Sequence, residues 1–424
     1  MSDIPRGIGI GAEEGATMLA KGRRMEEKSK SKARERNKIN TCRRYVWKRK
    51  NNYNVMCNRN DGSKASVAEE FKQYHGAPGN VSGVGVELEM KAARKCNLFK
   101  GSWVHDESYP LYEAAQCPFI DDRMNCRKNG RPDTDYEKWR WKPYGCTMPK
   151  FNPMDLLERL RGKRLMFVGD STSRNQWESM ACLLNTVIHN NRISLDDGFP
   201  LKTFKALDYQ ASVEYFWAPF LVDLNSNKQG KKVLHLDSVQ KNGVYWKGVD
   251  ILVFETSHWW THTGSEKGWD MMQIGNRMYI EMDPLKAYKK ALITWLDWVS
   301  KNINPSKSTV FSRTTSPQHY SEEKGKSCYK QIDPFQVNRD LPPVPPQLPM
   351  LEYLLKKTKF PINLLYITRL SNYRIDGHPS VYSTVLTEQQ WKNPEAYSDC
   401  SHWCLPGVPD TWNELLYASL VQPA

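Results

Sequence analysis

The run Leu165-Met166-Phe167-Val168-Gly169-Asp170-Ser171 decides the fold class of this chain. Its apolar residues predict a buried strand, which the Gly-Asp-Ser turn then interrupts. Downstream, apolar residues recur with the spacing of an amphipathic helix, namely Trp177, Met180, Ala181 and Leu184. A turn between a buried strand and a helix places the Ser171 hydroxyl at the edge of a sheet.

The alternation of strand and helix continues toward the C-terminus. Further apolar runs predict strands at Ile251–Phe254, Thr309–Phe311 and Ile362–Thr368, with a possible short strand at Val233–Leu236. Asp283-Pro284 marks the start of one helix, and another is expected around Leu351–Lys357, after the proline cluster 342–346. Strands that alternate with helices favour an α/β fold with a mostly parallel sheet and helices on both faces.

Polar and aromatic residues follow the predicted central strands. The segment Thr256-Ser257-His258-Trp259-Trp260 comes after the second strand, and Arg313-Thr314 comes after the third. Ligands of such sheets bind beyond the carboxyl ends of the strands. The predicted oxyanion-stabilising or substrate-binding residues are therefore Asp170, Arg174, Asn175, His258, Trp259 and Arg313. Two alternatives stay open: Asp170 caps the helix, and His258 is a structural residue at the sheet edge.

The segment Asp399-Cys400-Ser401-His402 supplies a carboxylate three residues before an imidazole. Such a carboxylate can fix the tautomer of His402 and stabilise its charged form. Together with Ser171 this makes a nucleophile, a base and an orienting group, the set used for acyl transfer through a serine ester. The order Ser, Asp, His suits an α/β-hydrolase-like enzyme, although the G-x-S-x-G elbow is missing. As alternatives, Ser171 only caps a helix, and Asp399 only holds a structural histidine in a surface turn.

The charge distribution argues against nucleic acid as a partner. The net charge is +14, but residues 1–50 alone hold 15 Lys and Arg against 6 Asp and Glu. The remainder of the chain contains neither zinc-finger spacing nor a glycine-rich phosphate loop, so nucleic acid binding is not expected. The 15 tryptophans have two interpretations, which are core packing and stacking on sugar rings.

The cysteines indicate an oxidising compartment. The candidates for disulfide bonds are Cys96, Cys117, Cys126, Cys146, Cys182, Cys328, Cys400 and Cys404. Their even number suits four disulfides, although spacing leaves the connectivity open. The alternative is zinc bound by Cys400, His402 and Cys404, which is disfavoured because the serine makes better use of His402. We therefore predict no metal. Asn80 begins a glycosylation sequon, consistent with secretion.

Composition divides the chain into three parts. Residues 1–94 are basic and poor in apolar side chains, so a disordered tail or linker is expected. Residues 95–148 form a predicted cysteine-rich module, and residues 149–424 hold the predicted catalytic domain. A secreted protein is expected to open with a signal peptide or anchor, yet the first hundred residues contain no suitable apolar run. We favour a missing N-terminal segment over a cytosolic chain with free thiols.

Several longer strings are similar to those of plant trichome birefringence-like proteins, which belong to the GDSL (SGNH-like) esterase group. The similarity spans roughly residues 95–420. Besides the strand and turn quoted first, the matching strings are Cys96-Asn97-Leu98-Phe99, Cys117-Pro118-Phe119-Ile120-Asp121, Asn129-Gly130-Arg131-Pro132-Asp133, Ser173-Arg174-Asn175-Gln176-Trp177 and Asp399-Cys400-Ser401-His402-Trp403-Cys404-Leu405-Pro406-Gly407. These strings are long and stand in the family's order, so the resemblance is specific.

The resemblance implies a three-layer α/β/α fold and a Golgi enzyme that O-acetylates cell-wall polysaccharides, with pectin, xylan or mannan as acceptor. It implies Ser171, Asp399 and His402 as the catalytic triad, and disulfides that tie the cysteine-rich module to the sheet and to the Cys400/Cys404 segment. Family members usually carry one N-terminal membrane anchor, which this sequence does not show. The acetyl donor, acetyl-CoA or an acetylated intermediate from a partner protein, is left open, and no bound cofactor is expected.

Two rival functions stay open at this point. A polysaccharide acetylesterase would use the same triad, with water in place of the sugar hydroxyl. A non-catalytic wall protein would instead bind pectin through its aromatic and arginine side chains.

Overall fold

The computed structural model describes residues 97–321, 323, 326–335 and 341–422, and the backbone of 44–49 and 52–57. The chain divides into two units, Met1–Gly83 and Val84–Ala424. In the first unit, β1 (Arg44–Arg49) and β2 (Asn52–Cys57) pair as an antiparallel hairpin. Both strands lie within residues 1–94, for which the sequence predicts a basic tail or linker. Cys96 and Asn80 lie outside the described residues.

Most strands of the second unit belong to a central sheet. In chain order the strands are β3 (Gly101–His105), β4 (Trp139–Pro143), β5 (Arg164–Gly169), β6 (Ile193–Asp196), β7 (Leu201–Ala206), β8 (Ala211–Trp217), β9 (Asp223–Ser226), β10 (Lys232–His235), β11 (Ile251–Phe254), β12 (Met271–Ile274), β13 (Arg277–Tyr279), β14 (Thr309–Arg313) and β15 (Asn363–Leu365). The central sheet has the order β15-β14-β11-β5-β8-β7-β6. From β15 to β8 all neighbours are parallel, whereas β7 and β6 add two antiparallel strands.

The two strands at the middle of this sheet are the apolar runs that the sequence indicates most clearly. In β5 and β11, Leu165 lies opposite Ile251, and Val168 lies opposite Phe254. Both strands are covered on both faces, which explains why their apolar runs are continuous instead of alternating. The mostly parallel sheet is confirmed.

Helices cover both faces of the sheet. They are α1 (Pro153–Arg159), α2 (Ser171–Asn185), α3 (Gln240–Trp246), α4 (Pro284–Asn302), α5 (Gln347–Leu355), α6 (Thr368–Ser371) and α7 (Val408–Val421). One core contains Leu157 of α1, Trp177 of α2 and Leu416 of α7. A second core contains Trp246 of α3 and Trp295 of α4. The three-layer α/β/α arrangement is therefore confirmed.

Some predicted elements differ from the structure. The predicted strand at Val233–Leu236 lies in a separate sheet, with the order β13-β12-β10-β9. The predicted strand at Ile362–Thr368 is shortened to β15, because Thr368 begins α6. Strands β6, β7 and β8 were not predicted.

Disulfides join the cysteine-rich segment to the rest of this unit. The described pairs are Cys117–Cys182, Cys126–Cys404 and Cys328–Cys400, and Cys146 is also disulfide-bonded. The first pair connects the segment to α2, and the second connects it to the loop that carries His402. Among the described residues, we find no helix with both the length and the apolar character to cross a membrane.

Candidate active site

Ser171 is the first residue of α2 and follows β5 after a single intervening residue, Asp170. Asp170 caps the helix, since its Oδ1 accepts a hydrogen bond from the Thr172 backbone N–H at 2.8 Å. Gly169 has to be a glycine, because a Cβ there would collide with Ser173 Oγ and the Glu255 carbonyl oxygen. The Gly-Asp-Ser turn thus fixes the serine hydroxyl at the carboxyl edge of the sheet.

The serine, histidine and aspartate that the sequence singles out meet in the structure. The Ser171 hydroxyl donates to Nε2 of His402 at 2.7 Å. On the other side of the ring, Nδ1–H of His402 donates to Oδ2 of Asp399, also at 2.7 Å. The second carboxylate oxygen of Asp399 accepts from the backbone N–H groups of Ser401 and His402. This is the geometry of a nucleophile, a base and an orienting carboxylate.

The electrostatics of the pair favour a strong base. Burial by itself lowers the pKa of His402, but the charge of Asp399 and the hydrogen bond to it outweigh burial, so the pKa is raised. Burial likewise opposes ionisation of Asp399, but the charge of His402 and the hydrogen bonds hold its pKa well below the ordinary value. Asp399 is therefore ionised and ready to stabilise a protonated imidazole.

The loop that carries the base is held from several sides. Disulfides fix Cys400 and Cys404 on either side of His402. The Asn175 side chain accepts from the Trp403 backbone N–H at 2.9 Å and donates to the Trp403 carbonyl at 3.2 Å. The His402 carbonyl accepts from Nδ1 of the buried His378 at 2.6 Å. The backbone around the imidazole is thereby set before any ligand arrives.

A cavity of about 390 Å³ opens at the serine and the histidine. Its lining residues are Arg123, Ser171, Arg174, Gly198, Phe199, Pro200, Lys202, Tyr215, Trp217, His258, Trp259, His262, Gln318, Ser401 and His402. The lining includes three of the predicted substrate-binding residues, which are Arg174, His258 and Trp259. Core packing is confirmed for Trp246 and Trp295. Trp217 and Trp259 line the cavity, and stacking on sugar rings stays a prediction.

The other three predicted substrate-binding residues lie beneath the cavity and need correction. Asp170, Asn175 and Arg313 are at most 1% exposed, so they cannot touch a substrate in this conformation. Asp170 caps α2 and Asn175 holds the Trp403 backbone. Arg313 donates to the Thr172 hydroxyl at 2.7 Å and lies 3.4 Å from the buried carboxylate of Glu255. All three position the nucleophile or the base instead.

The contacts of His258 explain why it is nearly buried. Its Nε2–H donates to the Ser316 carbonyl at 2.6 Å, and burial lowers its pKa. The ring is therefore neutral, and its Nε2 hydrogen is used in a structural contact at the edge of the sheet. The same ring also lines the cavity, so a structural role and a place in the site are compatible.

The zinc alternative does not fit the structure. Cys400 and Cys404 are both in disulfides, so neither offers a thiolate to a metal. The imidazole nitrogens of His402 are used by Asp399 and Ser171. The described residues contain no group of three or more His, Cys, Asp or Glu side chains placed to hold a metal ion.

Several cavity residues escaped the sequence analysis. Arg123 comes from the cysteine-rich segment, whose place beside the serine depends on disulfides. The spacing of the cysteines did not show which of them pair. Lys202 and Trp217 come from the unpredicted strands β7 and β8. The aromatic run Tyr215-Phe216-Trp217 is a strand signal that could have revealed β8, but Arg123 leaves no comparable signal in a single sequence.

Comparison with known proteins agrees with this geometry. Residues 148–419 match the PC-Esterase family, a GDSL/SGNH-like acyl-esterase family found in Pmr5 and Cas1p. Residues 94–147 match the PMR5 N-terminal domain. Protein trichome birefringence-like 36 of Arabidopsis thaliana is 44% identical over 334 residues, which is 78% of this chain and 87% of the relative. Protein trichome birefringence-like 40 is 44% identical over 330 residues, 77% of this chain and 88% of the relative. Arabidopsis Protein trichome birefringence is also 44% identical, over 80% of this chain, but the match covers 59% of its own length.

The fold and the PC-Esterase match define the class, an acyl-transferring enzyme of the GDSL/SGNH-like type. More narrowly, the chain belongs to the trichome birefringence-like family. The resemblance noted in the sequence is therefore confirmed.

Proposed function

We propose that this protein is an O-acetyltransferase that esterifies hydroxyl groups of a plant cell-wall polysaccharide, either pectin or a hemicellulose. The observation that carries the proposal is the continuous hydrogen-bonded series from Ser171 through His402 to Asp399, with 2.7 Å at each contact. It opens on a cavity with aromatic walls, among them Trp217 and Trp259. Flat aromatic rings of this kind suit the apolar faces of sugars.

In the first half of the reaction, His402 Nε2 takes the proton from the Ser171 hydroxyl while Oγ attacks the carbonyl carbon of the acetyl donor. The bond between the acetyl carbon and the donor's leaving group breaks. The leaving group departs with the proton that His402 held, and an acetyl ester remains on Ser171. Asp399 stabilises the imidazolium that forms in between.

In the second half, a sugar hydroxyl replaces the donor. Its proton passes to His402 Nε2 while its oxygen attacks the acetyl carbon, and the bond to Ser171 Oγ breaks. Oγ recovers the proton from His402, so the enzyme returns to its starting state. The product is an acetylated sugar.

The backbone N–H of Ser171 is the proposed oxyanion donor. It belongs to the first turn of α2, where backbone N–H groups have no partner within the helix, and the positive end of the helix dipole adds to its effect. Arg174 is less suited, because its guanidinium is ion-paired with Asp121 and Glu178.

The donor and the compartment are part of the proposal. An acetyl donor is required, either acetyl-CoA or an acetylated intermediate delivered by a partner protein, and it acts as a substrate. The disulfides support a secretory compartment, since such bonds persist in oxidising surroundings. Within the secretory pathway we place the protein in the Golgi apparatus.

The test is mass spectrometry of the Ser171 peptide after the purified protein has been exposed to an acetyl donor. An added acetyl group on Ser171 is expected. Ser171→Ala should lose both labelling and transfer to sugar, whereas Ser194→Ala, an exposed serine on β6, should keep both. Transfer that persists in Ser171→Ala would overturn the mechanism and leave a binding protein or another nucleophile.

A polysaccharide acetylesterase is the second candidate, and the description of the matching family as acyl-esterases favours it. The two functions differ in the nucleophile that attacks the acetyl-serine, which is a sugar hydroxyl in a transferase and water in an esterase. Release of free acetate should slow when acceptor oligosaccharide is added to a transferase, because the acceptor competes with water. An unchanged rate of acetate release would favour the esterase.

A further inference from the structure

The charged side chains that line the cavity all belong to basic residues. Arg123, Arg174 and Lys202 contribute to the lining, and within the described chain no Asp or Glu side chain does. A cavity lined by one sign of charge attracts ligands of the opposite sign.

The two arginines share one carboxylate. Arg123 Nε donates to Asp121 Oδ1 at 3.0 Å, and Arg174 pairs with the other oxygen of the same Asp121. These contacts and the charge of Arg174 outweigh burial and hold the pKa of Asp121 at about 2. A single ionised carboxylate between two guanidinium groups leaves one positive charge in excess.

Glu178 does not fully remove this excess. It is buried and lies 2.8 Å from Arg174, but burial raises its pKa to about 7 in spite of Arg174. Glu178 is also only 1% exposed and does not line the cavity, so a ligand beside the nucleophile meets the basic side chains first.

Arg123 is the cation best placed to meet a ligand. Its side chain is 56% exposed, and its two terminal nitrogens have no hydrogen-bond partner among the described residues, since only Nε is used. It lines the same cavity as Ser171 and His402, and its charge slightly opposes protonation of the imidazole. A guanidinium with a free outer edge binds a carboxylate through two parallel hydrogen bonds.

We infer that the acceptor is an anionic polysaccharide that bears uronic acid carboxylates, and that Arg123 selects it by binding a carboxylate near the sugar that is acetylated. The inference deepens the proposed acetyl transfer and rests on it. It also gives the N-terminal segment matched at residues 94–147 a role in specificity, because Arg123 and Asp121 both come from it. Lys202, on β7, also lines the cavity, but its ammonium group is already paired with Asp197, which among the described lining residues leaves Arg123 as the cation with free donors.

The experiment compares two acceptors with the same sugar hydroxyls. One is an oligogalacturonide, and the other is the same oligosaccharide with its carboxyl groups methyl-esterified and therefore neutral. We expect kcat/KM of acetyl transfer to be at least about tenfold higher for the acidic form, as the loss of one charge-assisted hydrogen-bonded contact implies. Arg123→Ala should abolish that preference, and Arg123→Lys should restore part of it.

The matched control is Lys128→Ala. Lys128 belongs to the same segment and is exposed, but it pairs with Asp122 and does not line the cavity. Its variant should keep the preference for the acidic acceptor. Equal rates for both acceptors with the wild-type protein, or a preference that survives Arg123→Ala, would refute the inference.

Two further measurements separate this inference from the proposed chemistry. Arg123→Ala should still form acetyl-Ser171 with the donor alone; failure to form it would mean that Arg123 binds an anionic donor instead, and the inference would fail. Calorimetric binding of the oligogalacturonide to Ser171→Ala needs no turnover, and it should weaken with salt and with Arg123→Ala. If that binding is seen while wild-type Ser171 never becomes acetylated, the proposed function fails and the carboxylate site remains.

Discussion

At the scale of single residues, His402 is the group whose environment matters most. Its ring is only partly exposed, which disfavours the charged form, yet the adjacent Asp399 reverses the balance and raises the pKa. Asp399 stays ionised because it also accepts two backbone hydrogen bonds. His402 is therefore a better proton acceptor than a histidine in water, and Ser171 lies within its reach.

The first prediction concerns the acidic side of the pH–rate profile. Only neutral His402 can accept the proton of Ser171, so kcat/KM falls as the pH falls through the raised pKa of this residue. The fall should therefore begin at a higher pH than the ordinary histidine value of about 6.5. In Asp399→Asn the acidic limb of the profile should shift to lower pH, because the charge that raises the pKa of His402 is gone. The value of kcat should also drop by roughly 10⁴-fold, because the asparagine amide holds the imidazole in the wrong tautomer.

Release of acetate from a chromogenic acetate ester across the pH range measures both effects. Asp122→Asn, which removes an exposed carboxylate of the N-terminal segment, should leave the profile unchanged. An identical acidic limb in the wild-type protein and in Asp399→Asn would contradict the assigned role of Asp399.

Sequence predicts residues of this site unevenly. Ser171, Asp399 and His402 could be found because each stands in a short motif whose chemistry is local. Asn175 and Arg313 were assigned to substrate, although the structure buries both. Packing against distant segments decides which side of a helix faces the ligand and how deeply the end of a strand is buried. A single sequence does not show that packing.

At the scale of elements, the contact between α2 and α7 is unusual for its buried acids. Glu178 on α2 and Asp410 and Glu414 on α7 are all at most 5% exposed. Burial raises the pKa of each to about 7. Hydrogen bonds from hydroxyl groups favour the ionised forms and offset burial only in part: the Tyr109 hydroxyl donates to Glu414 at 2.5 Å, and the Ser179 hydroxyl donates to Asp410 at 2.6 Å.

The second prediction is that these three carboxyls make the folded state less stable as the pH rises from mildly acidic to neutral, against the buried His319 and His378, whose lowered pKa values act in the opposite direction. These carboxyls hold protons in the folded state that they lose in the unfolded state, where their pKa is about 4. The stability they contribute is complete below that value and is lost as the pH rises toward 7. Each group can contribute a slope of up to about 1.4 kcal/mol per pH unit to the free energy of unfolding.

Urea unfolding at a series of pH values between about 5 and 7 measures that slope. Glu414→Gln keeps an oxygen for Tyr109 and removes one titrating group, so its free energy of unfolding should rise with pH relative to that of the wild-type protein. Glu388→Gln, at an exposed position, should follow the wild-type dependence. The same pH dependence in Glu414→Gln and in the wild-type protein would contradict the prediction.

The predicted elements also show what sequence can provide at this scale. The strands β5, β11 and β14 were found because parallel strands covered on both faces are continuously apolar. The antiparallel pair β6 and β7 was missed because polar residues such as Lys202, Thr203 and Lys205 interrupt it. These are the strands that carry one wall of the cavity, so the acceptor side of the site was the least predictable part.

At the scale of the whole molecule, the active site is assembled from distant parts of the chain. The nucleophile lies near the middle of the sequence, the base lies near its C-terminus, and Arg123 precedes both. The disulfide Cys126–Cys404 spans 278 residues and joins the first of these regions to the last. The pair Cys117–Cys182 anchors the N-terminal segment to α2.

The third prediction distinguishes the two disulfides. Removing either pair should lower the free energy of unfolding by about 2–4 kcal/mol. Cys126→Ser with Cys404→Ser should also lower kcat by about tenfold or more, because Cys404 neighbours the His402 loop and small displacements of a base are costly. Cys117→Ser with Cys182→Ser should retain most of kcat, since Cys182 lies further along α2 than Ser171.

Urea unfolding and turnover of the same two double variants give both quantities. Equal losses of kcat in the two variants, at equal stability, would show that the Cys126–Cys404 bond does not specifically hold the base.

The long reach of Cys126–Cys404 has a consequence for the newly made protein. A ribosome must translate 278 positions beyond Cys126 before Cys404 can be oxidised, so a growing chain carries Ser171 well before it carries His402. Copies truncated between these two residues lack the base, and longer copies reach full activity only after this bond has formed.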